Sequence, residues 1–579
     1  MIRPSAAMKS KIFVASLAFL ISSVPALAQE SPPSNCRCLY GDPCWPSEAD
    51  FAQLESRLSQ PLIYPSPPEA SCYPASNPSE NCTDVQENSQ DGRWISDQPG
   101  SFQYPNFEDY IFPNGTISAC YLNSTLGFPC EQGSIPPVGV DARSAEDIQA
   151  AVRFAAEHNL RLVVKNTGHD LLGRSTARNA FMIWTHHLKE ITYHDAFVPS
   201  NSNSSESFKA LTFGAGVQWY EAYDAAEQNG RVIVGGSSDG GSVGAAGGWM
   251  LGGGHGALAP VYGLGVDNAL QFTVVVASGE YLTANAYTNP DLFWALRGGG
   301  GGTFGVVTSV THLTHPSTPV SAVFIDANFS SLDVAREVTA EFFRIQPGLA
   351  DSGWGGYSWI LNTSLSSRLL APNVSDADAN ATFAPFAEFV KSKSNDSSVY
   401  TAPFASFHDW NREEFYVIGP QVGFNSEISG RFYSRKTLET NHEKMADVIL
   451  SFGAVLNNVA GGAVNRVDPD SVGVHPGWRD AIFHAFNGVS WPEGATAEEI
   501  ESKRELLRSW DELYESIEPG AGTYFNEGSL YEKDFRHTLF GSHYERLLEI
   551  KDVYDPSGLF IVAQGVSSER WDESLNCRK

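Results

Sequence analysis

The 579-residue sequence predicts an α+β protein in which a region of mixed strands precedes one large sheet backed by helices. Three observations lead there. From Pro136 to about residue 315, short β-branched runs alternate with amphipathic helical patterns. From 316 to 535 the strand-like runs and the helical patterns both lengthen. Ahead of both, residues 29–135 are rich in Pro, Cys, Ser and Asn and show little periodicity. At 42% hydrophobic and 18% charged, the chain is globular and long enough for two or three domains.

Residues 1–28 read as a secretory leader. Arg3, Lys9 and Lys11 precede the apolar run Ile12–Ile21, and Ala26-Leu27-Ala28 is a small-x-small cleavage site. That run is short for a bilayer, and no later one approaches ~20 apolar residues, so no membrane association is expected of the mature form. Residues 29–135 form a stapled segment with short helices such as Glu48–Leu58. Seven cysteines fall in it: Cys36, Cys38, Cys44, Cys72, Cys82, Cys120 and Cys130. The odd count suggests that the eighth, Cys577, ties the C-terminus back to this segment; the other pairings stay open. A zinc site from Cys36, Cys38 and Cys44 is the poorer alternative in a secreted chain. Sequons at Asn81, Asn114, Asn123, Asn203, Asn328, Asn362, Asn373, Asn380 and Asn395 are candidate glycan sites.

In the first α+β region, Ile148, Val152 and Ala155 mark one face of a helix over Ala145–His158. Strands are expected at Leu160–Val164, Leu211–Phe213 and Val306–His312, with a hairpin from Phe272–Ala277 to Tyr281–Thr283. Helices are expected at Trp219–Asn229 and Asp291–Leu296. In the second region, Val320–Asn328, Trp354–Ile360, Val417–Gly419 and a glycine-led Gly461–Asn465 read as strands. Leu332–Ile345, Ala377–Val390, Leu438–Leu450 and Ala497–Ser516 read as helices. The tail, 536–579, has a helix over His543–Lys551 and a closing strand around Phe560-Ile561-Val562.

The formal charge of −29 disfavours nucleic acid and anionic membranes as partners and leaves small ligands. Two loops point to one. The β-branched run Val163-Val164 ends in Lys165-Asn166-Thr167-Gly168-His169-Asp170-Leu171-Leu172-Gly173, a lone His among turn formers. Later comes Gly247-Gly248-Trp249-Met250-Leu251-Gly252-Gly253-Gly254-His255-Gly256. Glycine at such density implies positive φ or close backbone approach, and the amides of such loops can cradle a pyrophosphate. Gly300-Gly301-Gly302-Thr303-Phe304-Gly305 matches the dinucleotide string but lies between a helix and a strand, the reverse of the Rossmann order, and is rejected. Adjacent His186 and His187 would point to opposite faces of a strand and form no metal pair, and no metal constellation is evident.

The His169 loop resembles the R-x-G-G-H-S-x-x-G loop of the p-cresol methylhydroxylase/vanillyl-alcohol oxidase flavoproteins, and the berberine-bridge-enzyme-like branch matches best. Gly252–Gly256 running into Tyr262-Gly263-Leu264-Gly265-Val266-Asp267-Asn268 is similar to that branch, as are Asp291–Gly300 and the closing Tyr524-Phe525-Asn526-Glu527. So is Gly541-x-x-Tyr544-x-Arg546-Leu547-x-x-x-Lys551-x-x-Tyr554-Asp555-Pro556. The resemblance spans roughly Pro136 to Trp571. It implies a two-part FAD-binding domain, residues 136–315 with the returning tail, and a substrate domain over 316–535 built on a large antiparallel sheet backed by helices. It implies FAD held by His169, Lys165, Gly168, Gly173, Gly240, Ser242, Val243, Gly244, Gly252, Gly253, Gly254, His255, Gly256, Asp267, Asn268 and Val307. It also implies a covalent bond from a His169 ring nitrogen to the flavin 8α-methyl. Many relatives carry a second link, from a Cys to flavin C6. The corresponding stretch here, Gly235–Gly244, has no Cys, so a single link is expected.

The implied reaction is an oxidation. A small organic substrate (an alcohol, amine or activated C–H, natural-product intermediates included) would give hydride to flavin N5, and O2 would reoxidise the flavin to yield hydrogen peroxide. Catalysis falls to Glu527, Tyr524 and Asn526, with Glu527 a base whose pKa burial would raise; the alternative is a structural Glu527 paired to Lys or Arg. His484 and Tyr433 are weaker candidates. Two rival readings stand beside this one: a redox-neutral isomerase or cyclase using Glu527 for acid/base work, and a secreted glycoprotein without chemistry.

Overall fold

The computed structural model describes residues 35–203, 205–415 and 421–579. The leader and the strand expected at Val417–Gly419 lie outside the described residues. Helices and antiparallel sheets dominate, as expected of an α+β chain. The first region carries two small sheets. One orders Leu62–Ile63, Val138–Asp141, Phe181–Trp184 and Leu162–Lys165, the last three mutually parallel. The other is antiparallel and orders Tyr281–Asn285, Ala269–Val275, Val306–Leu313, Phe208–Gly214 and Ile191–Phe197.

The second region is one seven-stranded antiparallel sheet: Ser397–Phe404, Val320–Asn328, Ser364–Pro372, Gly355–Leu361, Ala454–Asn458, Ala481–Trp491 and Asn425–Ser434. Side chains alternate across a strand. In Val320–Asn328 this sends Val323, Ile325 and Ala327 into a core beneath helices Leu332–Asp351 and Arg435–Phe452. Val320, Ala322 and Phe324 go to the opposite core, shared with the glycine loops. A sheet buried on both faces explains why this strand reads as nearly continuous apolar sequence. The long helices start where the sequence supplies caps. Ser144, Ser331 and Ser375 accept from the third helical amide, and Thr496 forms a capping box with Glu499.

Two expected strands are absent. Gly461 and Gly462 have φ of +78° and +50°, and the chain turns there into a short 3-10 helix, Val464–Arg466. At Phe560 both backbone groups are taken by side chains: the amide donates to Asp555 and the carbonyl accepts from Lys551, so no ladder forms. Cys577 does pair with Cys36, and the rest close locally as Cys38–Cys44, Cys72–Cys82 and Cys120–Cys130. With every sulfur in a disulfide, the zinc alternative falls. Among the described residues no helix is long and apolar enough to cross a membrane.

Candidate active site

A cleft separates the first region from the Tyr524–Glu527 turn. The strand Leu162–Lys165 delivers the His169 loop to one wall. Gly168 turns it with φ +75°, and the Asp170 carboxylate pins the rest of the loop by accepting from the Leu172 amide and from the Ser175 amide and hydroxyl. His169 faces the cleft with Nε2 2.8 Å from Ser242 Oγ. Burial lowers its pKa to about 3, so the imidazole is neutral.

Two polar groups on this wall lack partners. Arg174 donates to the carbonyls of Ala563 and Phe525 and lies 3.6 Å over the Phe525 ring, yet its Nη2 is buried without an acceptor. Asn166 Oδ1 is buried without a donor. An uncommitted guanidinium N–H in a cleft suits an anionic ligand. Backbone also crowds the space: a Cβ at Gly301 would stand 3.1 Å from Gly248 Cα. A narrow, largely apolar cleft with Val164, Ala215, Val306 and Val307 in its walls and a cation at one edge fits a planar ring system carrying phosphates.

The other wall is a hydrogen-bonded network around one carboxylate. Glu527 Oε1 accepts from His255 Nε2 at 3.1 Å. Oε2 accepts from Asn457 Nδ2 at 2.7 Å and lies 3.3 Å from His484 Nδ1. His484 Nε2 meets Thr523 Oγ1 at 2.9 Å. Register builds this cluster: Asn457 and His484 are direct partners on adjacent antiparallel strands, and Gly430 leaves room, since a Cβ there would sit 2.7 Å from the His484 ring. Burial alone would raise the Glu527 pKa, but His255 and then His484 outweigh it and hold the carboxyl well below the usual range. The expectation of a raised pKa is therefore overturned, and so is a Lys or Arg partner. Tyr524 hydrogen bonds with Asn526 Nδ2 at 2.7 Å, and Asn526 also donates to the Gly248 carbonyl, which locks the closing turn onto the glycine loop. Burial pushes the Tyr524 phenol up.

Several expected cofactor contacts lie elsewhere. Gly168, His169, Val243, Gly244 and Val307 line the cleft, and Ser242 reaches it through His169. Lys165 turns away: its Nζ donates to the carbonyls of Gln98 and Pro99 on the stapled segment, and burial lowers it to about 7. Asp267 forms a buried bidentate pair with Arg479, and Asn268 binds His315 and two carbonyls. Gly252, Gly253 and Gly254 pack on Asn526, Val474 and Trp249, and Gly256 packs on the Gly235 carbonyl. Gly240 lies on Arg93 and Gly173 on Phe107, outside the cleft. His255 belongs to the Glu527 network. Tyr433 faces the helix side of the sheet, its hydroxyl toward the Tyr514 carbonyl. His186 and His187, just past a strand end, bind Asp97 and Asp141 separately. The rejected string Gly300–Gly305 is no Rossmann turn, yet Gly301, Gly302 and Gly305 line the cleft. Arg174 and Asn457 were missed. Arg174 sits inside the His loop motif, whereas nothing local marks Asn457.

A family model described as FAD binding domain matches residues 136–285, and one described as berberine and berberine like matches 523–567. An uncharacterized FAD-linked oxidoreductase of Arthroderma benhamiae is 36% identical across 99% of this chain and 100% of its own length. The chain belongs to the berberine-bridge-like, vanillyl-alcohol-oxidase-type family of FAD-linked oxidoreductases. The VAO-type flavoprotein oxidase VAO615 of Thermothelomyces thermophilus is 32% identical over 93% of this chain and 94% of its own. The crystal structure of VAO-type flavoprotein MtVAO615 from Myceliophthora thermophila C1 superposes with a TM-score of 0.82 at 30% identity, covering 94% of this chain and all of that one. As an FAD-linked oxidoreductase, the protein takes FAD as cofactor, and the reading without chemistry is removed.

Proposed function

We propose that this FAD-linked oxidoreductase is a secreted oxidase that carries its flavin on His169 and removes the substrate proton with Glu527. The observation that carries the reading is that a neutral imidazole and an ionised carboxylate line one cleft between them. Bound FAD supplies the two-electron acceptor, taking hydride at N5 and passing the electrons to O2 to give hydrogen peroxide. Arg174 would meet its phosphates, and Asn166 with the glycine backbone would hold its ring edges. Neutral His169 is the form that attacks an electron-poor methyl carbon. Glu527 is already ionised, so it can take a substrate proton without first losing one; His255, His484 and Asn457 hold the carboxylate in place, and by stabilising its charge the two histidines also lower its basicity. The substrate is a small organic alcohol, amine or activated C–H; a natural-product intermediate is one such compound. Four disulfides support an oxidising, secretory destination.

The test is to denature the purified protein in acid and record the flavin spectrum of pellet and supernatant, then screen substrates for peroxide. Flavin in the wild-type pellet and none in that of His169→Ala is expected. Flavin in the wild-type supernatant overturns the covalent link. Turnover without peroxide overturns the oxidase reading in favour of a redox-neutral reaction.

A further inference from the structure

We propose that a second pocket, walled by the stapled segment and the Asn425–Ser434 edge of the large sheet, binds an organic ammonium ion with an apolar body. It lies between residues 69–122 on one side and residues 423–425 and 491–493 on the other. Four carboxylates line it, those of Glu69, Glu108, Asp109 and Glu493, and among the described residues no Lys, Arg or His does. Trp94, Phe102, Tyr121 and Trp491 supply aromatic wall. Ring faces attract cations and carboxylates attract charged N–H donors, so one ligand chemistry suits both parts of the lining. The pocket backs onto the His169 loop: a Cβ at Gly168 would stand 3.2 Å from Phe102 Cα.

Two of the four acids have acceptor oxygens to spare. Glu108 is 7% exposed; its Oε1 accepts from the Phe102 amide at 2.7 Å and from Ser101 Oγ at 3.3 Å, while its Oε2 has no donor among the described residues. Glu69 Oε2 is buried and has no donor among them either. Glu493, by contrast, takes the amides of Leu122 and Asn123 at 2.6 and 3.0 Å. The base whose charge reaches Glu108 is Lys165, and its Nζ donates to the Gln98 and Pro99 carbonyls. A buried acceptor without a donor costs free energy that a bound N–H group would recover. A metal ion fits less well. Among the described residues the one cluster tight enough for an ion is Cys38, Asp42 and Cys44, and its two sulfurs are joined in a disulfide.

Occupancy follows the protons. Burial, and then Glu493 and Glu69, raise Asp109 to about 8; burial, and then Glu493, raise Glu69 to about 7; burial, and then Glu69, push Glu108 up. At low pH these acids hold protons and offer an amine little. At higher pH the ammonium replaces the protons as the balancing charge, so binding strengthens as pH rises and releases protons. Tyr73 and Tyr121 border the cluster. Burial pushes both phenols up, that of Tyr121 to about 12, so neither adds charge in this range. Lys165, lowered to about 7 by burial, loses its competing charge over the same span.

The experiment is isothermal titration of the full-length holoprotein with benzylamine, a protonated amine on an apolar ring. Benzyl alcohol serves as the neutral counterpart and calcium chloride, at equal ionic strength, as the metal. At pH ~8 benzylamine is expected to bind about tenfold or more tighter than benzyl alcohol, and about tenfold or more tighter than it does at pH ~5. Titrations in buffers of different ionisation heat are expected to show net proton release. Glu108→Gln and Glu69→Gln are each expected to weaken the amine by a similar factor. The wild-type comparison of amine with alcohol needs no variant and decides the matter even if neither variant folds. Benzyl alcohol binding as tightly as the amine, calcium binding in its place, or amine binding unchanged in both variants, which would put it in the flavin cleft, each overturns the proposal.

Discussion

The two walls of the cleft use the same side chain in opposite ways. On the first, His169 is desolvated until it is neutral, with a lone hydroxyl at Nε2. On the second, His255 and His484 direct N–H groups at Glu527 and keep it charged although it is buried. Burial disfavours charge on both walls; the number of donors converging on one atom decides which group escapes it. One wall thus presents a neutral imidazole and the other an ionised carboxylate.

The largest test of that contrast is Glu527→Gln. The variant keeps the shape but removes the anion, and kcat/KM is expected to fall by about 10²–10⁴-fold in a steady-state peroxide assay. A loss below tenfold would move the base off this wall.

A middle-sized effect comes from a third environment, the stapled segment, where carboxylates are buried close to one another. Burial raises Glu69 to about 7 and Asp109 to about 8, and pushes Glu108 up as well. Their folded pKa values exceed the unfolded ones, so the folded state binds extra protons between pH ~4 and ~8. Stability is full below that window and is lost as pH rises through it. Melting temperature is expected to drop from pH 5 to pH 8, and Asp109→Asn to flatten the drop; an unchanged slope in that variant would break the argument.

The smallest expected effect is none. If Glu527 stays ionised, the kcat/KM profile shows no acid limb near pH 6–7 from this group. Such a limb, abolished in Glu527→Gln, would restore a raised pKa and erase the difference between the walls.

Much of this was legible in the sequence because it is local. The His169 loop, the closing turn and the long capped helices each carry their signal within a few residues. Glycine was legible as a sign of close approach but not of what is approached: Gly252–Gly254 meet Asn526, Val474 and Trp249, while the discounted Gly301 and Gly302 face the cleft. The Glu527 network was not legible. Its donors come from positions 255, 457 and 484: strand register brings 457 and 484 together, and the glycine loop carries 255 to them. The same holds for Phe560, where Lys551 and Asp555 take the backbone groups that a strand would have used.

The Cys36–Cys577 bond spans 541 residues and closes most of the chain into a ring. A ribosome makes its two halves far apart in time, about half a minute to two minutes at ordinary elongation rates. The other six cysteines pair within 6 to 10 residues and can close as they emerge. Cys36 alone must wait through the whole of synthesis, an unpaired thiol among quick-closing neighbours. Its bond closes only once Cys577 has been made and folded back onto the stapled segment, so it locks the two regions between them into one loop.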